Sequence, residues 1–379
     1  MSEAIIPFRI EIPQAALDDL TDRLDRTRWP ERETADNWEQ GVPLADAQAL
    51  CAYWRDTYDW RATEARLNAV GQYRTTIDGL GFHFLHIRSP EPTAMPMILT
   101  HGWPGSVVEF LKVIGPLTDP AAHGGDPADA FHLVVPSLPG FGFSDRPAEA
   151  GWTTMRTAKA WTVLMARLGY DRYVAQGGDW GSVVTSALGV LAPPQLAAIH
   201  LNMAMVQPTP EEIAQADPAE QLILADLKRL NDELMGYATL QTTRPQTIAY
   251  SLTDSPAGQA SWIFEKFRDW TDCNGDPSTV FSYDELLDNI MMYWITGTGG
   301  SSARIYWESI RNFFDYRPTV PTGITMFPRE IYRVSRRWAE RHYGPLAFWS
   351  ETERGGHFAA FEQPEIFVRE VRQAFHPYR

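Results

Sequence analysis

A carboxylate stands at the centre of Gly177-Gly178-Asp179-Trp180-Gly181, directly after the apolar run YVAQ and directly before the helix-forming stretch SVVTSALGVL. A turn this sharp from strand into helix strains its central residue, so the residues two before and two after it must be small enough for the strand and helix to approach. Gly177 and Gly181 meet that need. An Asp in the central position, where Ser is common, moves the expected chemistry from acyl transfer to displacement at an sp³ carbon. A carboxylate can attack an alkyl centre and hold it as an ester. The competing reading is a glycine-rich turn in which Asp179 only caps the following helix.

The surrounding pattern places this turn in a parallel sheet. From Met95, short apolar runs end in Gly-rich turns and lead into helical stretches: MPMILTHGWPGS, FHLVVPSLPGFG and YVAQGGDWGS, then LAAIHLNMA. This is the rhythm of strands joined by crossover helices. Four regions follow from it. Residues 1–90 read as a helical wrapper with the first strands, since Leu17, Leu20 and Leu24 share one helical face and Leu50, Trp54 and Tyr58 another. Its strands, YRTTI and FHFLHIRS, form a hairpin joined at Asp78-Gly79-Leu80-Gly81. Residues 91–205 hold the first part of the sheet core. Residues 206–317 lack strand alternation and read as a helical cap inserted into it. Residues 318–379 resume the core with TGITMFPRE and LAFWSETERGGH and close with a helix whose Phe367, Val371 and Phe375 point inward.

Bulk properties exclude several function classes. Thirty-three Lys and Arg against 48 Asp and Glu give a net charge of −15, and no basic run suited to a phosphate backbone interrupts that balance, so nucleic acid is not an expected partner. Cys51 and Cys273 have no ligand-type spacing to the histidines. His83 and His86, three apart on one strand, face opposite sides and do not make a metal pair. The reading therefore contains neither a disulfide framework nor a metal site, and the expected compartment is a reducing cytosol. MSEAIIPFRIEIP does not resemble a signal peptide, so the chain is expected to start near Met1. The uncharged stretch from Gly181 to Pro210 is split by Pro193 and Pro194 and reads as a buried helix and strand, not a membrane span.

Two further motifs fall where a reactive turn needs support. His101-Gly102-Trp103-Pro104-Gly105 follows the strand MILT, in the place of a loop that donates a backbone N–H to an oxyanion; Trp103 is that donor, and Trp180 the second. Gly355-Gly356-His357-Phe358 puts a histidine after the last strand, although a loop histidine is often only a surface residue. With such turns the chain order is nucleophile, acid, histidine. Glu330, after TGITMFPR, suits the acid, but it could equally be a carboxylate favoured at a helix start.

The residues quoted so far, together with IPFRIEIPQAALDDLTDRL, AYWRDTYDWRATEARLN, PSLPGFGFS, HLNMA and GGHFAAFEQPE, resemble the microsomal-type epoxide hydrolase family, including its soluble bacterial members, along nearly the whole chain. The resemblance implies an α/β-hydrolase fold: a mostly parallel sheet flanked by helices, with an inserted helical cap and an N-terminal wrapper. It implies Asp179 as nucleophile, His357 as base and Glu330 as the acid that orients it. Two cap tyrosines, identified with Tyr237 in GYATLQTTRPQT and Tyr306 in SSARIYWES, would hold the epoxide oxygen. The implied partners are a small hydrophobic epoxide and water, with a homodimer possible by the same resemblance. No cofactor, metal or membrane anchor is carried over. Two other readings stand beside it: a haloalkane dehalogenase, which would not need the tyrosines, and a non-catalytic receptor on the same fold, which would tolerate loss of the base or acid.

Overall fold

In the computed structural model, which describes residues 3–379, nine strands form one sheet in the order β1-β2-β3-β5-β4-β6-β7-β8-β9. Met1 and Ser2, where the expected chain start falls, lie outside the described residues. The strands are β1 (Ile6–Pro7), β2 (Gln72–Ile77), β3 (Leu80–Ile87), β4 (Met95–Thr100), β5 (Phe131–Pro136), β6 (Tyr173–Gly177), β7 (Leu196–Leu201), β8 (Thr322–Met326) and β9 (Leu346–Glu351). From β1 to β5 the pairings are antiparallel, and from β5 through β9 they are parallel. Helices cover both faces of the parallel part, which is why β5 and β6 are mostly apolar without alternation and, His132 and Gln176 included, buried along their whole length.

The sixteen α-helices among the described residues account for the sequence regions. The wrapper supplies α1 (Gln14–Asp25), α2 (Leu44–Asp56) and α3 (Trp60–Ala69). Crossover helices α4 (Leu111–Thr118), α5 (Thr154–Arg167) and α6 (Asp179–Leu191) follow β4, β5 and β6. Between β7 and β8 the chain has helices and loops and no strand, with α7 (Pro210–Ala214), α8 (Pro218–Arg229), α9 (Gly236–Thr243), α10 (Pro245–Asp254), α11 (Pro256–Asp269), α12 (Tyr283–Trp294) and α13 (Gly299–Ser309). Then come α14 (Arg336–His342), α15 (Ala359–Glu362) and α16 (Pro364–Phe375). In α16, Phe367, Val371 and Phe375 are buried, as their spacing requires. Among the described residues no helix is long and apolar enough to cross a membrane.

Two local expectations are corrected. The hairpin turn is the pair Asp78-Gly79, both with positive φ (51° and 80°), so Leu80 and Gly81 already belong to β3. A two-residue turn with both central residues left-handed matches the twist of the strands better than a longer loop. Tyr58 is not on the face of Leu50 and Trp54, because α2 ends at Asp56. Its hydroxyl instead donates to Asp288 on α12 at 2.9 Å.

Asp288 joins the wrapper to the helical insertion. Although buried, it accepts from Tyr58, Thr63 and Arg66, so its charge is matched by donors from the link after α2 and from α3. On the same helix the next residue, Asn289, and Tyr293, one turn beyond it, donate to the carbonyls of Pro104 (2.8 Å) and Gly105 (2.6 Å). Thus the wrapper holds α12, and α12 holds the loop after β4. Asp288→Ala would strand these donors and should lower stability by about 2–3 kcal/mol, read as a lower urea midpoint at unchanged slope. Asp22→Ala, which removes only an exposed pair with Arg26, should change little. Equal effects from the two substitutions would deny the Asp288 cluster any special role.

Candidate active site

The register Thr100↔Gly177 sets the carboxyl ends of β4 and β6 side by side, where the chain, having placed β5 on one side of β4, crosses to place β6 on the other. In open parallel sheets this switch point is where loops splay apart and a ligand can enter. Asp179 begins α6 with a φ of +51°, a left-handed conformation that a non-glycine residue adopts only when its surroundings impose it. Those surroundings are tight. A Cβ on Gly181 would overlap the Thr100 carbonyl, and one on Gly177 would overlap the carbonyl of Gly181. The helix-cap reading of Asp179 is overturned, since Gly178 occupies the cap position and the Asp179 carboxylate faces away from the helix.

That carboxylate has two different environments. Its Oδ1 accepts the backbone N–H of Trp103 at 2.7 Å, and its Oδ2 lies 3.2 Å from Nε2 of His357. Gly102 permits the first contact, because a side chain there would collide with Asp179 itself. Trp180 is the second residue of α6, in the first turn, where N–H groups lack intrahelical partners. Its ring packs edge-on against Tyr306, with centroids 4.8 Å apart.

His357 is buried, not a surface residue, and its Nδ1 lies 2.7 Å from Oε1 of Glu330. Glu330 is not at a helix start: α14 begins only at Arg336, and the Glu330 side chain is fully buried against the imidazole. The loops that carry the pair are registered by a bridge between Arg329 and Gly356, with Arg329 N–H donating to the Gly355 carbonyl at 3.0 Å. The helical insertion fixes the same loop, since the Trp270 carbonyl accepts from His357 N–H at 2.9 Å. Glu362 then accepts from the N–H groups of Phe358 (3.1 Å) and Asp272 (3.0 Å).

Tyr237 and Tyr306 come from α9 and α13, and their hydroxyls meet each other beside Asp179. Tyr237 stacks flat on Trp103 (5.1 Å, 9°), while Tyr306 meets Trp103 edge-on (5.8 Å, 87°). A π-helical turn, Leu230–Leu234, precedes Tyr237 and resets the chain between α8 and α9. Both phenols open on a cavity of about 370 Å³ with Asp179 and Trp180, walled by Met203, Phe313 and Phe314. Its size and apolar walls suit a small hydrophobic ligand. Lys266, buried beneath the Tyr237 ring at 4.7 Å, was not singled out from sequence, and neither were Trp270 and Glu109. Of these only Glu109 left a local sign, as the one carboxylate between His101 and Thr118.

The charge pattern is consistent with these positions. Burial alone lowers the pKa of His357, but the Glu330 charge, the hydrogen bonds to Asp179 and Glu330 and the Asp179 charge outweigh it and hold the imidazole well above 6.5. Burial, reinforced by the Asp179 charge, pushes both Tyr237 and Tyr306 above the ordinary phenol value, so both stay protonated donors. His101 is a structural group: burial lowers it to about 4, and its Nε2 accepts from the Leu138 N–H at 3.2 Å.

Comparison with known proteins agrees along the whole chain. Residues 5–110 match the family described as "Epoxide hydrolase N terminus", and residues 95–255 match "alpha/beta hydrolase fold". A Stigmatella aurantiaca protein named "Putative epoxide hydrolase" is 57% identical over 376 residues, covering 99% of this chain and 86% of that one. "Epoxide hydrolase 1" of Oryctolagus cuniculus is 34% identical over 404 residues, covering 97% and 88%. Among solved structures, the juvenile hormone epoxide hydrolase of the silkworm Bombyx mori superposes with a TM-score of 0.92 at 32% identity, covering 100% of this chain and 95% of that one. The Aspergillus niger epoxide hydrolase gives 0.90 at 31% identity, covering 99% and 96%.

The raised His357 pKa has a measurable sign. Its contribution to stability is complete below the ordinary value of 6.5 and is lost as pH rises through the raised value. Downfield proton NMR should therefore find the His357 imidazolium still present at a pH where ordinary histidines are neutral. Asp179→Asn, which removes one charge and its bond, should bring the midpoint down. A midpoint near 6.5 in the unsubstituted protein would contradict the charge pattern.

Proposed function

The chain belongs to the epoxide hydrolase family on the α/β-hydrolase fold, and from that premise we propose that it opens a hydrophobic epoxide to a vicinal diol through a covalent ester on Asp179. The observation that carries this reading is the meeting of two buried, protonated phenols beside a carboxylate in one apolar cavity. An epoxide is strained, but its oxygen leaves only if a donor supports the developing alkoxide. Tyr237 and Tyr306 are that donor pair. A dehalogenase would have no use for them, because halide departs without a proton.

The first step follows from the two environments of Asp179. Oδ2 attacks a ring carbon from the side opposite the tyrosines, the C–O bond of the ring breaks, and the oxygen takes its proton from the phenol pair. Oδ1 becomes the ester carbonyl, already held by the Trp103 N–H. Formation of the ester removes the Asp179 charge, and with it two of the interactions that keep His357 protonated. The imidazole can then lose its proton, which restores the phenols, and is left neutral beside the ester.

In the second step His357 accepts a proton from water as the water oxygen bonds to Cγ of Asp179. Glu330 fixes the imidazole through Nδ1 and stabilises the imidazolium as it forms. The oxyanion at Oδ1 is met by the N–H groups of Trp103 and Trp180. The ester C–O bond breaks, and the alkoxide leaves as diol with the proton from His357. The helices between β7 and β8 act in this reading as the cap that brings the phenols to the sheet. The buried thiols of Cys51 and Cys273 are free, which supports a reducing, cytosolic setting.

Incubation with styrene oxide and with 1-chlorobutane separates the alternatives: diol is expected from the first and no chloride from the second. In a single turnover in ¹⁸O-water with enzyme in excess, the label should enter the peptide holding Asp179, not the diol. Labelled diol with unlabelled peptide would mean direct attack by water and would end the covalent reading. His357→Gln should let the ester accumulate, visible by intact-protein mass spectrometry. Tyr237→Phe combined with Tyr306→Phe should slow ester formation by about 10²–10⁴-fold. Unchanged alkylation in the double variant would remove the phenols from the mechanism.

A further inference from the structure

Behind Asp179, away from the tyrosines, lies a second and much smaller cavity of about 20 Å³, lined among others by Asp179, His357, Gly105, Glu109 and Asn202. It has room for one water molecule and polar groups to hold it. The mechanism above uses two of these groups, Asp179 and His357, and leaves Glu109 without a task. Glu109 begins where the loop after β4 turns toward α4, and its carboxyl folds back over Gly105. A side chain at Gly105 would occupy the position of Glu109 Oε1, so the glycine is what lets this acid reach the cavity.

We propose that Glu109 is a positioning residue for the second step, its carboxyl group holding the attacking water in this cavity between itself and Nε2 of His357. The inference rests on the covalent reading given above. A water there has the needed arrangement: one hydrogen to His357, the other to a Glu109 oxygen, and a lone pair facing the Asp179 ester carbon. As His357 takes the first hydrogen and the oxygen bonds to Cγ, the second hydrogen stays on the new carboxyl group and keeps its bond to Glu109 until the ester breaks. Glu109 itself exchanges no proton. The titratable groups that face it are His357, Asp179 and Tyr293. Burial pushes its pKa up to about 8, with the His357 charge opposing and the Asp179 charge adding to the rise, so the acid is mostly neutral near pH 7. A neutral acid orients the water without setting another buried negative charge beside Asp179 and Glu330. The Ser106 N–H, which also meets the carboxyl group, fixes its plane.

Rapid-quench mass spectrometry with styrene oxide measures ester formation and ester loss separately. Glu109→Ala should slow ester loss by about tenfold or more while leaving ester formation within a few-fold, so that adduct accumulates. Glu109→Gln, which mimics the neutral acid and keeps an acceptor oxygen, should restore ester loss to near the parent rate. If the alanine variant does not fold, Glu109→Met fills the same volume without an acceptor and is judged by the same two rates. Parallel slowing of both steps, no slowing of ester loss, or a glutamine variant as impaired as the others would overturn the proposal. The absence of any adduct in His357→Gln would instead overturn the covalent reading itself, so the two failures are distinguishable.

Discussion

The close approach of α6 to the end of β4 is the contact on which the site depends. Because Gly181 lies against the Thr100 carbonyl, α6 starts within van der Waals distance of the sheet, and Asp179 is forced into a left-handed conformation at the very edge of β6. Only from there can its carboxylate reach the Trp103 N–H on one side and His357 on the other. A looser turn would relieve the strain and lose both contacts. The glycines at 102, 105, 177, 178 and 181 share one requirement: at 177 and 181 backbone passes backbone, and at 102, 105 and 178 the backbone passes the side chains of Asp179, Glu109 and Asn202, with no space for a Cβ.

A second constraint is electrostatic. Asp179, His357 and Glu330 form a buried line of acid, base and acid, stable only if the imidazole carries a proton. The positive charge on His357 therefore holds these three groups together. On the proposed covalent route, ester formation at Asp179 would remove its charge and its bond to the imidazole, and so free His357 to lose its proton. The phenols and Glu109 fit the same scheme, because burial keeps all three largely neutral around a centre that already holds two carboxylates.

The helical insertion does more than roof the cavity. Through Asn289 and Tyr293 it grips the loop that carries Trp103, and through the Trp270 carbonyl it grips the loop that carries His357. The wrapper in turn holds α12 through Asp288. Regions far apart in sequence thus fix the Trp103 N–H and His357 relative to Asp179 at the end of β6. Such support is what holds reacting groups in the narrow geometry that catalysis demands.

Much of this was written locally. The elbow glycines, the order of Asp179, Glu330 and His357 after β6, β8 and β9, the largely apolar runs of β5 and β6 and the strandless stretch before β8 are all short-range patterns, because steric fit in a turn and burial on both faces of a strand act on adjacent residues. Where local spacing admitted two readings, it could not decide between them. Whether Asp179 caps a helix or faces a histidine, whether Glu330 starts a helix or lies against an imidazole, and whether Tyr58 continues the α2 stripe or reaches α12 depended on partners 27 to 230 residues away. The meeting of Tyr237 with Tyr306 and the burial of Glu109 were likewise settled only by packing, since desolvation and charge proximity are properties of the folded interior, to which a residue's neighbours in the chain contribute little.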